Sequence, residues 1–104
     1  MLKLSKFFIG LGMFVLIAYD ISNDKDRRKI EKLLSSYGNR VNYSLFEVEI
    51  ESGKLSKLKE KLIKHMKEED SVRFYFLDKL SIQKSYDLNK KRPIPFYKSE
   101  NYVF

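Results

Sequence analysis

Residues Lys6 to Ser22 read KFFIGLGMFVLIAYDIS, and the reading of this stretch decides the fold. Lysines precede a long apolar run, and small and polar residues follow it, as in a secretory signal peptide. A buried strand that carries Asp20 at its end has the same composition. The apolar run from Phe7 to Tyr19 is shorter than the roughly 20 residues a membrane-spanning helix needs. Ala18 has no small partner at cleavage spacing, and Tyr19 and Asp20 follow it at once. Gly10 and Gly12 break the run in two. The second piece, Met13 to Tyr19, has strand length, β-branched and aromatic content, and a turn signal after it. A buried strand is therefore expected over residues 13–19, with residues 1–12 as a separate N-terminal extension.

Working outward, the chain has 104 residues, the size of one small domain. A chain of this length buries about two-thirds of its unfolded surface, so a partner subunit would add to its stability. It has no cysteine, which excludes a disulfide framework, thiolate zinc ligands and a thiol nucleophile. Absence of cysteine favours a reducing compartment, and a cytoplasmic protein with no membrane association is expected. The formal net charge is +7, with lysine and arginine spread along the chain. Such a balance attracts polyanions, nucleic acid foremost. A solubilising lysine-rich surface is the other reading.

Ser22-Asn23-Asp24 supplies capping residues, and Ile30, Leu33, Leu34 and Tyr37 then fall on one helical face. A helix over 24–37 is expected, with Gly38 as its stop. Val41 to Ile50 reads as a strand region whose alternation changes phase near Leu45-Phe46, the mark of a bulge or of a break between two strands. Leu55, Leu58, Leu62, Ile63 and Met66 make a second helical stripe, expected over 54–68. Val72 to Leu77 is a further strand. Beyond Asp78 the pattern weakens: Ile82 to Leu88 fits a strand, Pro93 and Pro95 an extended connector, and Tyr102 to Phe104 a short terminal strand.

This order predicts an α+β protein: a ferredoxin-like βαββαβ sandwich over residues 13–77, both helices on one sheet face. The tail, 78–104, would supply an extra C-terminal strand. An antiparallel sheet covered on one face should alternate apolar and polar residues. Here Phe14, Leu16 and Ala18 oppose Val15, Ile17 and Tyr19, so both faces of the first strand are apolar. A homodimer packed through the uncovered sheet face would account for this. Cover by the chain's own tail is the alternative.

The sequence holds no Gly-rich phosphate loop and no Ser/His/Asp arrangement, and the lone His65 sits at the edge of a helical stripe. Asp20 is the candidate for chemistry, because the end of a rigid strand holds a functional group well. A turn or capping role is its bland alternative. Magnesium keeps most of its waters and often takes one or two carboxylates. A two-fold dimer sets each residue opposite its copy, so two Asp20 side chains near the axis would offer a divalent-cation site.

MFVLIAYDIS, then DRRKIEKLLSSYGNRVNYSLFEVEI, then EEDSVRFYFL closely resembles the second Cas protein of CRISPR systems, a small protein of the spacer-acquisition module. The likeness runs from about Met13 to Leu77. It implies a ferredoxin-like homodimer whose C-terminal strand crosses to the partner. It also implies a magnesium (or manganese) site built from Asp20 of each subunit. Tyr19, Arg27, Arg40 and Phe46 match positions around the family's catalytic cleft, while Lys29 stands where some members have arginine.

What the resemblance implies about activity divides in two. One expectation is a metal-dependent endonuclease acting on single-stranded RNA or duplex DNA, with Asp20 on the metal and Arg27 and Arg40 against phosphate. Salt bridging to Asp24, Asp26, Glu31 or Glu47 is the alternative for both arginines. The other is a non-catalytic, nucleic-acid-binding adaptor that bridges two dimers of the CRISPR-associated integrase.

Overall fold

The computed structural model describes residues 12–88. The elements run β1 (Gly12–Asp20), α1 (Asp24–Ser35), β2 (Gly38–Asn42), β3 (Leu45–Glu51), α2 (Ser52–Ile63), β4 (Ser71–Leu77) and α3 (Lys79–Lys84). One four-stranded antiparallel sheet has the order β2-β3-β1-β4. β1, the most apolar strand, is one of two inner strands, with β3 the other. β3 and β4 pair with β1, and β2 and β4 form the two edges.

Register assigns the faces. Ile17 lies between Phe46 and Phe74, and Val15 between Val48 and Phe76. All of these but the exposed Phe76, together with Tyr19, meet the stripes of the two long helices. Val15, Ile17, Tyr19, Ile30, Leu34, Phe46, Val48, Leu55, Leu58 and Leu62 belong to one buried cluster. Burying a side chain of this kind contributes about 1.5–3 kcal/mol. The other face of β1 carries Phe14, Leu16, Ala18 and Asp20. Phe14 is buried outside that cluster, as is Ile82 of α3.

α1 begins where Asn23 accepts the Asp26 amide at 2.9 Å, which satisfies one of the free donors of the first turn. It ends at Ser35, and Ser36 and Tyr37 follow as a hydrogen-bonded turn. α2 likewise stops at Ile63, short of the expected end at 68. Its stripe needs one correction: Ile63 is 66% exposed, because Leu62 already holds the inward position at that turn.

One open choice is settled and one expectation changes. The phase shift near Leu45-Phe46 marks a break between two strands, not a bent one. Asn42 Oδ1 accepts the Tyr43 amide at 2.8 Å, which turns the chain, and the β2–β3 register slips between Arg40 and Asn42. Val41 and Tyr43 are consequently exposed. Residues 82–88 are not a strand. Asp78 caps a short helix by accepting the Ser81 amide at 2.8 Å, and this local bond outweighs the alternating pattern of Ile82, Tyr86 and Leu88. The expected terminal strand lies outside the described residues, as does the 1–12 extension except for Gly12, which belongs to β1. No helix among the described residues is long and apolar enough to cross a membrane.

Candidate active site

The C-terminal end of β1 opens into a cleft of about 540 Å³ whose lining includes Tyr19, Asp20, Arg27, Glu31, Arg40 and Tyr43. Four of the five expected site residues therefore meet in one place, although Tyr19 and Arg40 are far apart in the chain. Three elements bring them together. β1 ends in Tyr19-Asp20, the first turns of α1 carry Arg27 and Glu31, and β2 places Arg40 opposite Phe46, on the helix side of the sheet.

Alternation along β1 separates the two residues at its end. Tyr19 points into the core and is 5% exposed, while Asp20 lies on the opposite side, paired with Ser71, and is exposed. The Tyr19 hydroxyl lies 2.7 Å from Glu31 Oε2 and 2.9 Å from the Tyr43 carbonyl. Arg40 Nη2 lies 3.1 Å from the same Glu31 oxygen. Arg40 also donates through Nε to the carbonyls of Asn42 and Tyr43, at 3.2 Å each, and through Nη2 to Tyr43. Burial, reinforced by the anionic Glu31, pushes the Tyr19 hydroxyl up to about 12, so it is a neutral donor at physiological pH.

Arg27 sits 2.7 Å from Asp24 and reaches the Ile21 carbonyl at 3.4 Å. Both arginines therefore have carboxylate partners, as the bland reading allowed. Their side chains remain 38% and 44% exposed, so each can also face a phosphate. Asp20 differs from its neighbours: among the described residues nothing hydrogen-bonds or ion-pairs with its carboxylate.

Residues 13–85 match the family described as CRISPR associated protein Cas2. The chain belongs to this family. A CRISPR-associated endoribonuclease Cas2 of Synechocystis sp. is 48% identical over 61 residues, 58% of this chain and 66% of that protein. The chain thus spans just under two thirds of that relative's length. Cas2 of Streptococcus pyogenes has a similar structure, with a TM-score of 0.65 and 33% identity over 73% of this chain and 99% of the other. A chain of a partial Cas6-RT-Cas1–Cas2 complex gives a TM-score of 0.70 and 36% identity, covering 80% and 97%. The CRISPR-associated family named by the resemblance is therefore the right one, and the match covers the strands and helices of the described residues except Gly12.

Phe46 does not line the cleft. It is fully buried, its ring centroid 6.1 Å from that of Tyr19 and tilted by 39°. Its contact with the site passes through Tyr19. Glu31 and Tyr43 also line the cleft: the sequence offers Glu31 only as an ion-pair partner for the arginines, which it is for Arg40, and does not single out Tyr43. Glu31 falls four residues after Arg27, a spacing that sets both on one helix face, and this signal was there to find. Tyr43 had none, because its position depends on the turn.

Among the described residues no group of three or more His, Cys, Asp or Glu side chains could hold a metal ion. The donor that the cleft offers is one exposed, unengaged carboxylate. That set fits a hard, largely hydrated cation and not a protein cage.

Proposed function

We propose that this Cas2-family chain is a CRISPR spacer-acquisition protein that acts as a homodimer, cuts nucleic-acid phosphodiester bonds with a divalent metal, and bridges integrase units. The observation that carries the nuclease reading is Asp20. It is an exposed carboxylate with no partner among the described residues, at the mouth of a cleft that also holds Arg27 and Arg40. The related proteins named endoribonucleases support it.

Asp20 shares the sheet face of Leu16 and Ala18, the face that the long helices leave uncovered. A second copy stacked on that face would cover these apolar groups and bring a second Asp20 near the first. Two close carboxylates repel, and a cation between them relieves the repulsion. Magnesium or manganese held by Asp20 would supply polarisation of the phosphate and an activated water at neutral pH. Arg27 and Arg40 would neutralise phosphate oxygens. Tyr19, with its proton held, fixes Arg40 through Glu31 and the Tyr43 carbonyl.

The test is cleavage of single-stranded RNA and of duplex DNA by wild type and Asp20→Ala, with magnesium and with chelator. Cutting that needs both Asp20 and the metal supports the reading and names the substrate. Cutting that survives Asp20→Ala rejects it.

The adaptor reading has its own support. Both cleft arginines are already ion-paired, and the chain carries +7 net charge. A matching chain occurs in a Cas1–Cas2-containing complex. A non-catalytic cytoplasmic bridge of this kind would bind duplex backbone with steep salt dependence and without base preference.

A further inference from the structure

The β2–β3 turn presents an aromatic ring that the cleavage reading does not use. Tyr43 is 87% exposed, the most exposed large hydrophobic side chain among the described residues. Single exposed aromatics are ordinary on protein surfaces. Tyr43 differs because its backbone is held from both sides. Its amide donates to Asn42 Oδ1 at 2.8 Å, and its carbonyl accepts from Arg40 and lies 2.9 Å from the Tyr19 hydroxyl. The ring itself makes no aromatic or cation–π contact among the described residues. A fixed backbone thus carries an exposed aromatic ring on a residue whose carbonyl the Arg40 guanidinium holds, and both line one hollow. Tyr43 and Arg40 line both the cleft that contains Asp20 and a second, adjoining hollow of about 380 Å³ with Asn42.

We propose that Tyr43 is a stacking platform for one unpaired base of a single-stranded nucleic acid, with the adjacent phosphate against Arg40. This deepens the nucleic-acid reading above and rests on it. An aromatic face next to a cation is the combination that tracks a single strand, because every base has a π-face and every nucleotide a phosphate. Bases inside a duplex are already stacked on one another and offer no such face. The contact is therefore selective for strand state and indifferent to sequence. A base held at Tyr43 would also set which phosphate reaches the Asp20 side of the cleft.

The test is metal-free anisotropy titration, with chelator so that nothing is cut, of a labelled mixed-sequence single strand and of a covalently closed, relaxed duplex minicircle, which has neither ends nor unpaired bases. Wild type, Tyr43→Phe and Tyr43→Leu are compared. Tyr43→Phe should bind both probes as wild type does. Tyr43→Leu should lose about five- to a hundredfold on the single strand and keep its affinity for the closed duplex. Unchanged single-strand binding by Tyr43→Leu, an equal loss on both probes, or an equal loss with Phe would each overturn the proposal. A stacking-quenched fluorescent base in the single strand gives a readout on wild type alone. Emission unchanged at saturation overturns the proposal without any variant. Failure of Asp20-dependent cleavage leaves this test intact, whereas wild type that binds neither probe removes the nucleic-acid reading and this one together.

Discussion

The Tyr19 hydroxyl and the Arg40 guanidinium meet on one oxygen of Glu31, at 2.7 and 3.1 Å. That carboxylate ties the central strand, the first helix and the edge strand together under the cleft. A hydrogen bond to a charged group contributes about 1.5–3 kcal/mol. Tyr19→Phe removes one such bond and keeps the ring against Phe46. Urea denaturation should show a loss within that range. Phe46→Ala, which opens a cavity beside the same ring, should cost about 3–5 kcal/mol.

The same cluster sets an alkaline limit. Burial, then Glu31, raises the Tyr19 hydroxyl from 10.0 to about 12. A raised value means that the folded protein holds its proton more tightly than the unfolded chain does. The contribution is fully present below 10.0 and is lost as pH rises towards 12. Thermal melts of wild type should fall across that window, and Tyr19→Phe should flatten the fall.

Gly38 is needed for space. A Cβ there would sit 2.3 Å from the Glu47 carbonyl oxygen and 2.6 Å from Val48 Cγ2, both in β3. A backbone oxygen cannot retreat without parting the β2–β3 pair, and β2 carries Arg40. Gly38→Ala should destabilise by about 1–3 kcal/mol in denaturant titration. Gly53→Ala is the contrast: nothing lies within 4 Å of its Cβ, and it sits in α2. That change should stabilise by about 0.5–1 kcal/mol.

Asp70 holds the segment that follows Asp20. Its Oδ1 accepts from the Ser22 amide at 3.0 Å and the Ser22 hydroxyl at 3.1 Å, and its Oδ2 accepts from the Lys67 amide at 2.8 Å. The Ser22 amide first, and then the Lys67 amide, hold its carboxyl below the usual 3.8. A depressed value gives stability that is present above 3.8 and lost as pH falls through the folded value. Asp70→Asn should therefore melt earlier than wild type at neutral pH, with the gap narrowing in acid. An equal gap at every pH would count against the clamp.

Glu47 runs the other way. It lies between Leu16 and Asn39 in register, on the face opposite the long helices, and its Oε1 is buried without a hydrogen-bond partner. Burial raises its carboxyl above the usual 4.5. Its contribution is fully present below 4.5 and is lost as pH rises through the folded value, so the ionised form is a burden at neutral pH. Glu47→Gln should raise the melting temperature at neutral pH and leave it unchanged in acid.

Much of this was legible in the chain itself. MFVLIAY is apolar on both alternations, which marks a strand of the sheet interior with one face on the helices. The helical stripes at Ile30-Leu33-Leu34-Tyr37 and Leu55-Leu58-Leu62 have the period that places one face on a sheet. Asp20 could be singled out because it closes the most apolar strand. The family resemblance rested on these same segments.

Other features were not legible, because they depend on residues distant in sequence or on a single local bond. The break at Tyr43-Ser44 follows from one Asn42 side-chain bond, and α3 from one Asp78 cap. Neither leaves a periodic trace. Ile63 looked inward because a stripe does not say where a helix stops. Local periodicity specifies strands, helices and their buried faces, since both are properties of neighbouring residues. Only strand pairing decided that Arg40 sits by Phe46, and only the packing of α1 on the sheet decided that Glu31 reaches Tyr19 and Arg40 together. Glu31 lies 12 residues from Tyr19 and 9 from Arg40, and strand register together with the seating of the helix, rather than sequence spacing, sets these distances.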